Sequence, residues 1–174
     1  MHFRRRLAGL VGGVVLLVGA MLALAAPAQA YDPNPSVNRY YYQTSDCPCS
    51  GGNLSDPFDG TYFQNDAGGT AVKLELYQGG WFIGKVEFHP NDEKLWVYDT
   101  RNDGDSYYVR VQYAYNGTTH SLGTFSPPGT SEVVDYSTLD FDIPEGAFVD
   151  LMLYDGSGHT DFFGGAYGTA SAVA

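Results

Sequence analysis

Beyond its first thirty residues, the chain offers chemistry two cysteines, three histidines and twenty acidic side chains. The cysteines stand in Asp46-Cys47-Pro48-Cys49-Ser50. A disulfide between Cys47 and Cys49 would close a very small loop, which constrains the unfolded chain little and is strained. Free or intermolecular thiols, and a redox or metal role, are the other readings. Two thiolates alone are an incomplete zinc site, and the spacing is one residue short of the redox Cys-x-x-Cys pattern. His89, His120 and His159 have no neighbours at metal-ligand spacing. No Gly-x-Ser-x-Gly presents a nucleophile, and Gly156-Ser157-Gly158 has the composition of a flexible loop. The expectation is therefore no catalytic residue, no cofactor site and no metal centre.

Acidic residues give the remaining leads. Asp99-Thr100-Arg101-Asn102-Asp103-Gly104-Asp105 resembles a calcium loop on the surface. Aligned from Asp99, however, Arg101 and Arg110 fall where calcium needs an oxygen ligand and a bidentate glutamate. A hairpin turn explains the segment better. A second lead is Asp140 and Asp150, which a tight turn at Pro144-Glu145-Gly146 would set opposite each other. Like charges across a ladder repel, so either water screens them or a divalent cation bridges them, with Asp142 nearby. Retaining glycosidases also use two carboxylates, ~5 Å apart, but a flat strand pair offers no cleft.

These residues must be positioned by strands. From Ala67 onward the apolar period is two, and no segment shows a helical stripe. Val72, Leu74 and Leu76 form one core face, and Phe82, Val86 and Phe88 form another. A three-residue loop, Gln78-Gly79-Gly80, pairs Leu76 with Phe82 and Val72 with Val86, keeping both faces inward. Similar loops at Asn102-Asp103-Gly104 and Pro144-Glu145-Gly146 set Val97 against Val109, Arg101 against Asp105, and Phe141 against Val149. Asn116-Gly117 is a two-residue turn. Strands are predicted near 71–77, 81–88, 94–101, 105–115, 118–125, 131–143, 147–154 and 162–171. About eight antiparallel strands over residues 66–174 predict an all-β sandwich, immunoglobulin-like or jelly-roll, with a small barrel as the alternative.

Residues 31–65 are rich in turn formers, and only Arg39 to Gln43 could make a strand, so this stretch reads as an irregular arm. Residues 1–30 carry an Arg4-Arg5-Arg6 start, an uncharged apolar run and a small-x-small pattern, Ala28-Gln29-Ala30. That is the form of a secretory signal peptide cut after Ala30. The run is about long enough to span a bilayer, but it ends in Pro27 and a cleavage pattern, so no stable membrane anchor is expected afterwards. Cleavage takes three of the nine basic residues and none of the twenty acidic ones, moving the formal charge from −11 to −14. Such a field opposes nucleic acid and anionic membranes and keeps an extracellular protein soluble.

The turns and core alternation of Leu95-Trp96-Val97-Tyr98-Asp99 with Asn102-Asp103-Gly104, of Leu139 to Gly146, and of Gly165-Ala166-Tyr167-Gly168-Thr169-Ala170 carry a resemblance. They look like a group of small exported actinobacterial β-sandwich proteins without an assigned activity. The resemblance covers about the last two thirds of the mature chain, implies the fold and the export, and brings no catalytic residues. The expected function is a secreted, non-enzymatic binding or envelope-associated module. Its partner would be an extracellular protein or polysaccharide, met by some of the 14 tyrosines. An extracellular inhibitor presenting Pro127-Pro128-Gly129 or the Cys47-Pro48-Cys49 loop to a hydrolase is the alternative. A secreted hydrolase, with a cleft around His120 or His159, is the weaker third.

Overall fold

The computed structural model describes residues 31–128 and 135–174. The leader with Ala28 and Ala30, Gly129 of the proline loop, and the start of the strand predicted from 131 lie outside the described residues.

The described residues form ten strands: β1 Ser36–Gln43, β2 Thr70–Gln78, β3 Trp81–His89, β4 Lys94–Asp99, β5 Tyr108–Tyr115, β6 Thr118–Phe125, β7 Asp135–Asp140, β8 Phe148–Tyr154, β9 Phe162–Ala166 and β10 Ala172–Val173. All pairings are antiparallel, and among the described residues there is no α-helix. The strands form one strongly curled, half-barrel sheet in the order β6-β5-β8-β10-β2-β3-β4-β7, with β1 added on β2 and β9 on β8. The two-residue β10 joins the halves, pairing Ala172 with Val149 and Val173 with Thr70. The curl lets inward side chains from both halves meet in one core. Val72, Leu74, Leu76, Val86, Phe88, Leu95 and Val97 come from one half, and Val109, Val111, Val149, Leu151 and Leu153 from the other.

Three predicted hairpins come out differently. Between β2 and β3 the loop is the two-residue Gly79-Gly80, with Gln78 opposite Trp81. The register then shifts between Leu76 and Tyr77, because Ile83 is an extra residue on β3. This bulge restores core parity, so Val72 faces Phe88 and Leu74 faces Val86. β4 does not pair with β5; it lies between β3 and β7. β8 likewise pairs with β5, β9 and β10 and not with β7. Val97 and Val109 do share a core, but from opposite halves of the sheet. Alternation gave the correct face, and sequence proximity gave the wrong partner. The Asn116-Gly117 turn is as expected, with both residues at positive φ and Tyr115 opposite Thr118.

The arm contributes β1 and then crosses the outer face of β2 and β3. It is fastened by a second small core of Cys47, Leu54, Phe63 and Ala71, and by an isolated bridge between Cys49 and Phe63. Cys47 and Cys49 are joined as a disulfide, with Cα atoms 4.5 Å apart. One glycine is essential to the stacking of β3 on β4. A Cβ on Gly84 would lie 2.4 Å from the Tyr98 carbonyl oxygen and 3.1 Å from the Tyr107 ring.

Candidate functional site

Register places two rows of side chains across the outer face. One runs Lys73, Glu87, Trp96, Thr138, and the next runs Glu75, Lys85, Tyr98, Tyr136. The arm covers the charged half of each row and leaves Trp96 and Tyr136 of the aromatic half accessible.

The covered half is a buried ionic network. The Lys73 ammonium lies 2.7 Å from Glu75 and 3.2 Å from Asp56. Lys85 lies 2.9 Å from Asp56, 2.8 Å from Glu87 and 2.5 Å from Asp59. Both lysines and Asp56 have no exposed side-chain surface. Glu87 also accepts a hydrogen bond from the Thr61 hydroxyl at 2.5 Å and meets His89 Nε2 at 3.0 Å. Burial alone would favour the neutral forms, but the pairing outweighs it. Lys85 is held above its usual range by Glu87, Asp59 and Asp56. Asp56 is held below its usual range by Lys85, the Phe58 amide and Lys73. Burial also pushes Glu87 up, and His89, Lys85 and Thr61 more than offset it, leaving the carboxyl below its ordinary value. A buried pair adds little net stability, but removing one partner costs roughly 3–5 kcal/mol because the other charge is stranded. The network therefore fixes where the arm sits.

The open half is an aromatic platform. Trp96 stacks on Tyr98 with ring centroids 6.0 Å apart and on Tyr136 at 5.7 Å, while Tyr98 and Tyr136 are 5.4 Å apart, all within 25° of parallel. Tyr98 is the buried member, with Lys85 Nζ 4.5 Å from its ring; Tyr136 is 53% exposed. Arm residues alternate here. Thr61 and Phe63 point inward, and Tyr62 and Gln64 point outward. The outward pair forms one wall of a cleft of about 350 Å³ whose other lining includes His89, Asn91, Lys94, Trp96 and Thr138. This volume lies at the small end of ligand pockets, which begin near ~300 Å³. An aromatic floor with amide, hydroxyl and ammonium groups at its rim suits a flat, hydroxyl-rich ligand.

The residues singled out from the sequence lie mostly elsewhere. Asp140 and Asp150 do not face each other, because β7 and β8 are not paired: Asp140 lies across from Lys94. Asp150 accepts hydrogen bonds from Ser171 Oγ at 2.5 Å and the Gly168 amide at 3.1 Å. Those donors explain its position without a cation, and Asp142 is exposed on the connection after β7. Among the described residues no cluster of three His, Cys, Asp or Glu could hold a metal. Arg101 does not pair with Asp105; its guanidinium lies over Trp81 and its Nε is 3.9 Å from Asp103. His120 stacks on Tyr113, and His159 meets the Thr124 hydroxyl at 2.5 Å. Only His89 lines the cleft. Cys47 belongs to the arm's small core, Pro127 is buried and Pro128 is exposed.

The ionic network and Tyr62 are the features that sequence reading missed. The lysines and glutamates of β2 and β3 occupy the outward parity, which reads as solvent-facing until the arm is laid over it. No protein-family model, curated protein or solved structure matches this chain.

Proposed function

We propose that this chain is a secreted, non-enzymatic binding module that holds an extracellular polysaccharide on the Trp96–Tyr98–Tyr136 platform. The observation that carries this reading is Trp96, which stacks near-parallel on Tyr98 and on the exposed Tyr136 and lines a cleft walled by Tyr62 and Gln64 with Asn91 and Thr138 beside it. The apolar face of a sugar ring packs against an aromatic face, and its hydroxyls hydrogen-bond to the rim. The leader supplies the address, and the formal charge of −14 on the mature chain argues against an anionic polymer as ligand. A neutral glycan of an envelope or matrix fits best. In this reading the two halves of the curled sheet act as the layers of an immunoglobulin-like or jelly-roll sandwich, as in the exported proteins the sequence resembles.

Co-sedimentation of the purified protein with neutral insoluble polysaccharides tests the proposal. Retention is expected on at least one of them, and Trp96→Ala or Tyr136→Ala should reduce it tenfold or more, since truncating a central aromatic contact costs about 2 kcal/mol or more. Retention unchanged in both variants, or none on any polymer, would remove the reading.

A further inference from the structure

The arm's ionic network contains every group that amide formation requires. Lys85 Nζ lies between two buried carboxylates, 2.9 Å from Asp56 Oδ2 and 2.8 Å from Glu87 Oε1. Asp56 Oδ1, the other oxygen of the same carboxyl, accepts the Phe58 and Gly60 amides at 3.0 and 3.2 Å. Lys73 Nζ stands 3.2 Å from Oδ2. The side chains of Lys73, Lys85 and Asp56 are wholly buried, and that of Glu87 is 4% exposed. We propose that Lys85 and Asp56 condense within the folded chain to an isopeptide bond, tying the arm covalently to β3.

Each group has a role in that step. One proton passes from the Lys85 ammonium to Asp56 Oδ2, 2.9 Å away, and the freed amine attacks Cγ of the neutral acid while Glu87 accepts a second proton from the nitrogen. The carbonyl electron pair moves onto Oδ1, where the two backbone amides hold the oxyanion. Collapse of this intermediate expels Oδ2 as water with a proton from Lys73 beside it, and the proton on Glu87 then returns to Lys73, its cross-strand neighbour. The nitrogen–carbon bond forms and the Cγ–Oδ2 bond breaks. Both protons lost from the ammonium end on Oδ2, which departs as water. Lys73 and Glu87 finish in their starting states, and no co-reactant is consumed. Nothing is oxidised or reduced.

Two physical effects drive the condensation. Holding amine and acid together supplies an effective concentration on the order of 10⁵ M or more, far above that of water in a site closed to it. The product also removes two charges from a buried position while leaving the net charge of the network unchanged, which relieves desolvation. The ion pair is the resting arrangement, because its neighbours hold the Lys85 ammonium and the Asp56 carboxylate in their charged forms. Reaction proceeds from the minor proton arrangement in which Lys85 is neutral and Asp56 protonated, so the bond accumulates after folding. Asp59 is the poorer partner although it lies 2.5 Å from Lys85, since its side chain is 56% exposed and water can reverse the step.

Peptide mass mapping of the full chain, purified from the exporting host, reduced, alkylated and digested with trypsin, reads the bond directly. The expected species joins peptide 40–73 to 74–94 through an uncut Lys85, one water lighter than the two together, with fragmentation placing the link at Asp56. Complete recovery of free 74–85 and 86–94, or a link placed at Asp59, overturns the proposal. Glu87→Gln should fold, retain its place opposite Lys73 and yield the free peptides. Equal cross-linking in that variant would overturn the role of Glu87. Should that variant fail to fold, Lys85→Arg keeps the charge, removes the nucleophile and must give no linked species.

Discussion

Phe63→Ala should separate the stability of the arm from that of the sheet. Phe63 is fully buried, its ring 4.7 Å from His89 and 5.9 Å from Tyr42, and its backbone exchanges two hydrogen bonds with Cys49 at 2.9 and 3.0 Å. Truncating a buried phenylalanine costs about 3–5 kcal/mol. The small core that fastens the arm consists of Cys47, Leu54 and Phe63 with Ala71 of β2, and Tyr42 and Cys49 pack against it. At roughly 1.5–3 kcal/mol per large buried side chain, Phe63 is the largest apolar contributor to this small core. A loss of about 4 kcal/mol multiplies the population with the arm open by roughly a thousandfold, at 1.4 kcal/mol per decade. Native-state hydrogen exchange reads this at the Cys49 and Phe63 amides. Their protection should fall by about three decades, while the amides of Val109 and Leu151 in the main core change little. A covalent tie at Asp56 does not alter this expectation, since the Cys49–Phe63 bridge can open on either side of it. An equal fall in protection at all four amides would show that arm and sheet unfold as one unit, and would refute the reasoning.

Gly84→Ala should push β3 off β4, because the added Cβ meets the Tyr98 carbonyl and the Tyr107 hydroxyl, which lies 3.0 and 2.6 Å from the carbonyl oxygens of Lys85 and Tyr98. Overpacking costs about 1–3 kcal/mol, read as a melting temperature lower by roughly 3–10 °C; an unchanged melting curve counts against the contact. Thr61→Val removes one donor from the buried Glu87 carboxylate and should cost about 1.5–3 kcal/mol in denaturant titration, whereas a neutral result would mean water replaces the hydroxyl. Glu87 also sets an acid limb. Its folded pKa is depressed below 4.5, so its contribution is fully present above that pH and lost as pH falls through the lower folded value. Melting temperature should therefore hold to about pH 5 and then decline, with a shallower decline in Glu87→Gln; identical slopes in the two proteins would exclude Glu87 as the cause.

The sequence made faces legible and partners much less so. Period-two alternation identified nearly every core residue of β2 to β5 and of β8, because burial on one face of a strand leaves that signature. Pairing between distant segments leaves none, so β4 with β7 and β5 with β8 could not be read from turn chemistry alone. One error had its remedy in plain view. The three-residue Gln78-Gly79-Gly80 loop would have set Lys73 opposite Lys85. The observed register, with Ile83 bulged, sets Lys73 opposite Glu87 and Glu75 opposite Lys85. Both registers satisfy the hydrophobic faces, and only the second satisfies the charges. The arm was the harder case. Its turn-rich composition announces irregular backbone, while its docking rests on a few residues, Asp56, Thr61 and Phe63, whose spacing follows no period.

The arm also changes what the platform can do. Without it, β3, β4 and β7 would present a flat outer surface, on which a ligand meets aromatic rings from below and water from above. Tyr62 and Gln64 turn that surface into a cleft, and they are placed by the inward neighbours Thr61 and Phe63. A ligand that touches both wall and floor therefore binds only the closed arm, and its apparent affinity scales with the closed fraction. Phe63 does not itself line the cleft, but its ring packs on His89, which does, so weakened polysaccharide retention is assigned to that fraction only where protection at Cys49 falls with it. If the arm remains mostly closed after the substitution, retention should be nearly unchanged while exchange at Cys49 accelerates. If it is mostly open, retention should fall in proportion, and saturating ligand should restore protection at Cys49. Retention lost with protection at Cys49 intact would mean that the wall does not act through closure of the arm.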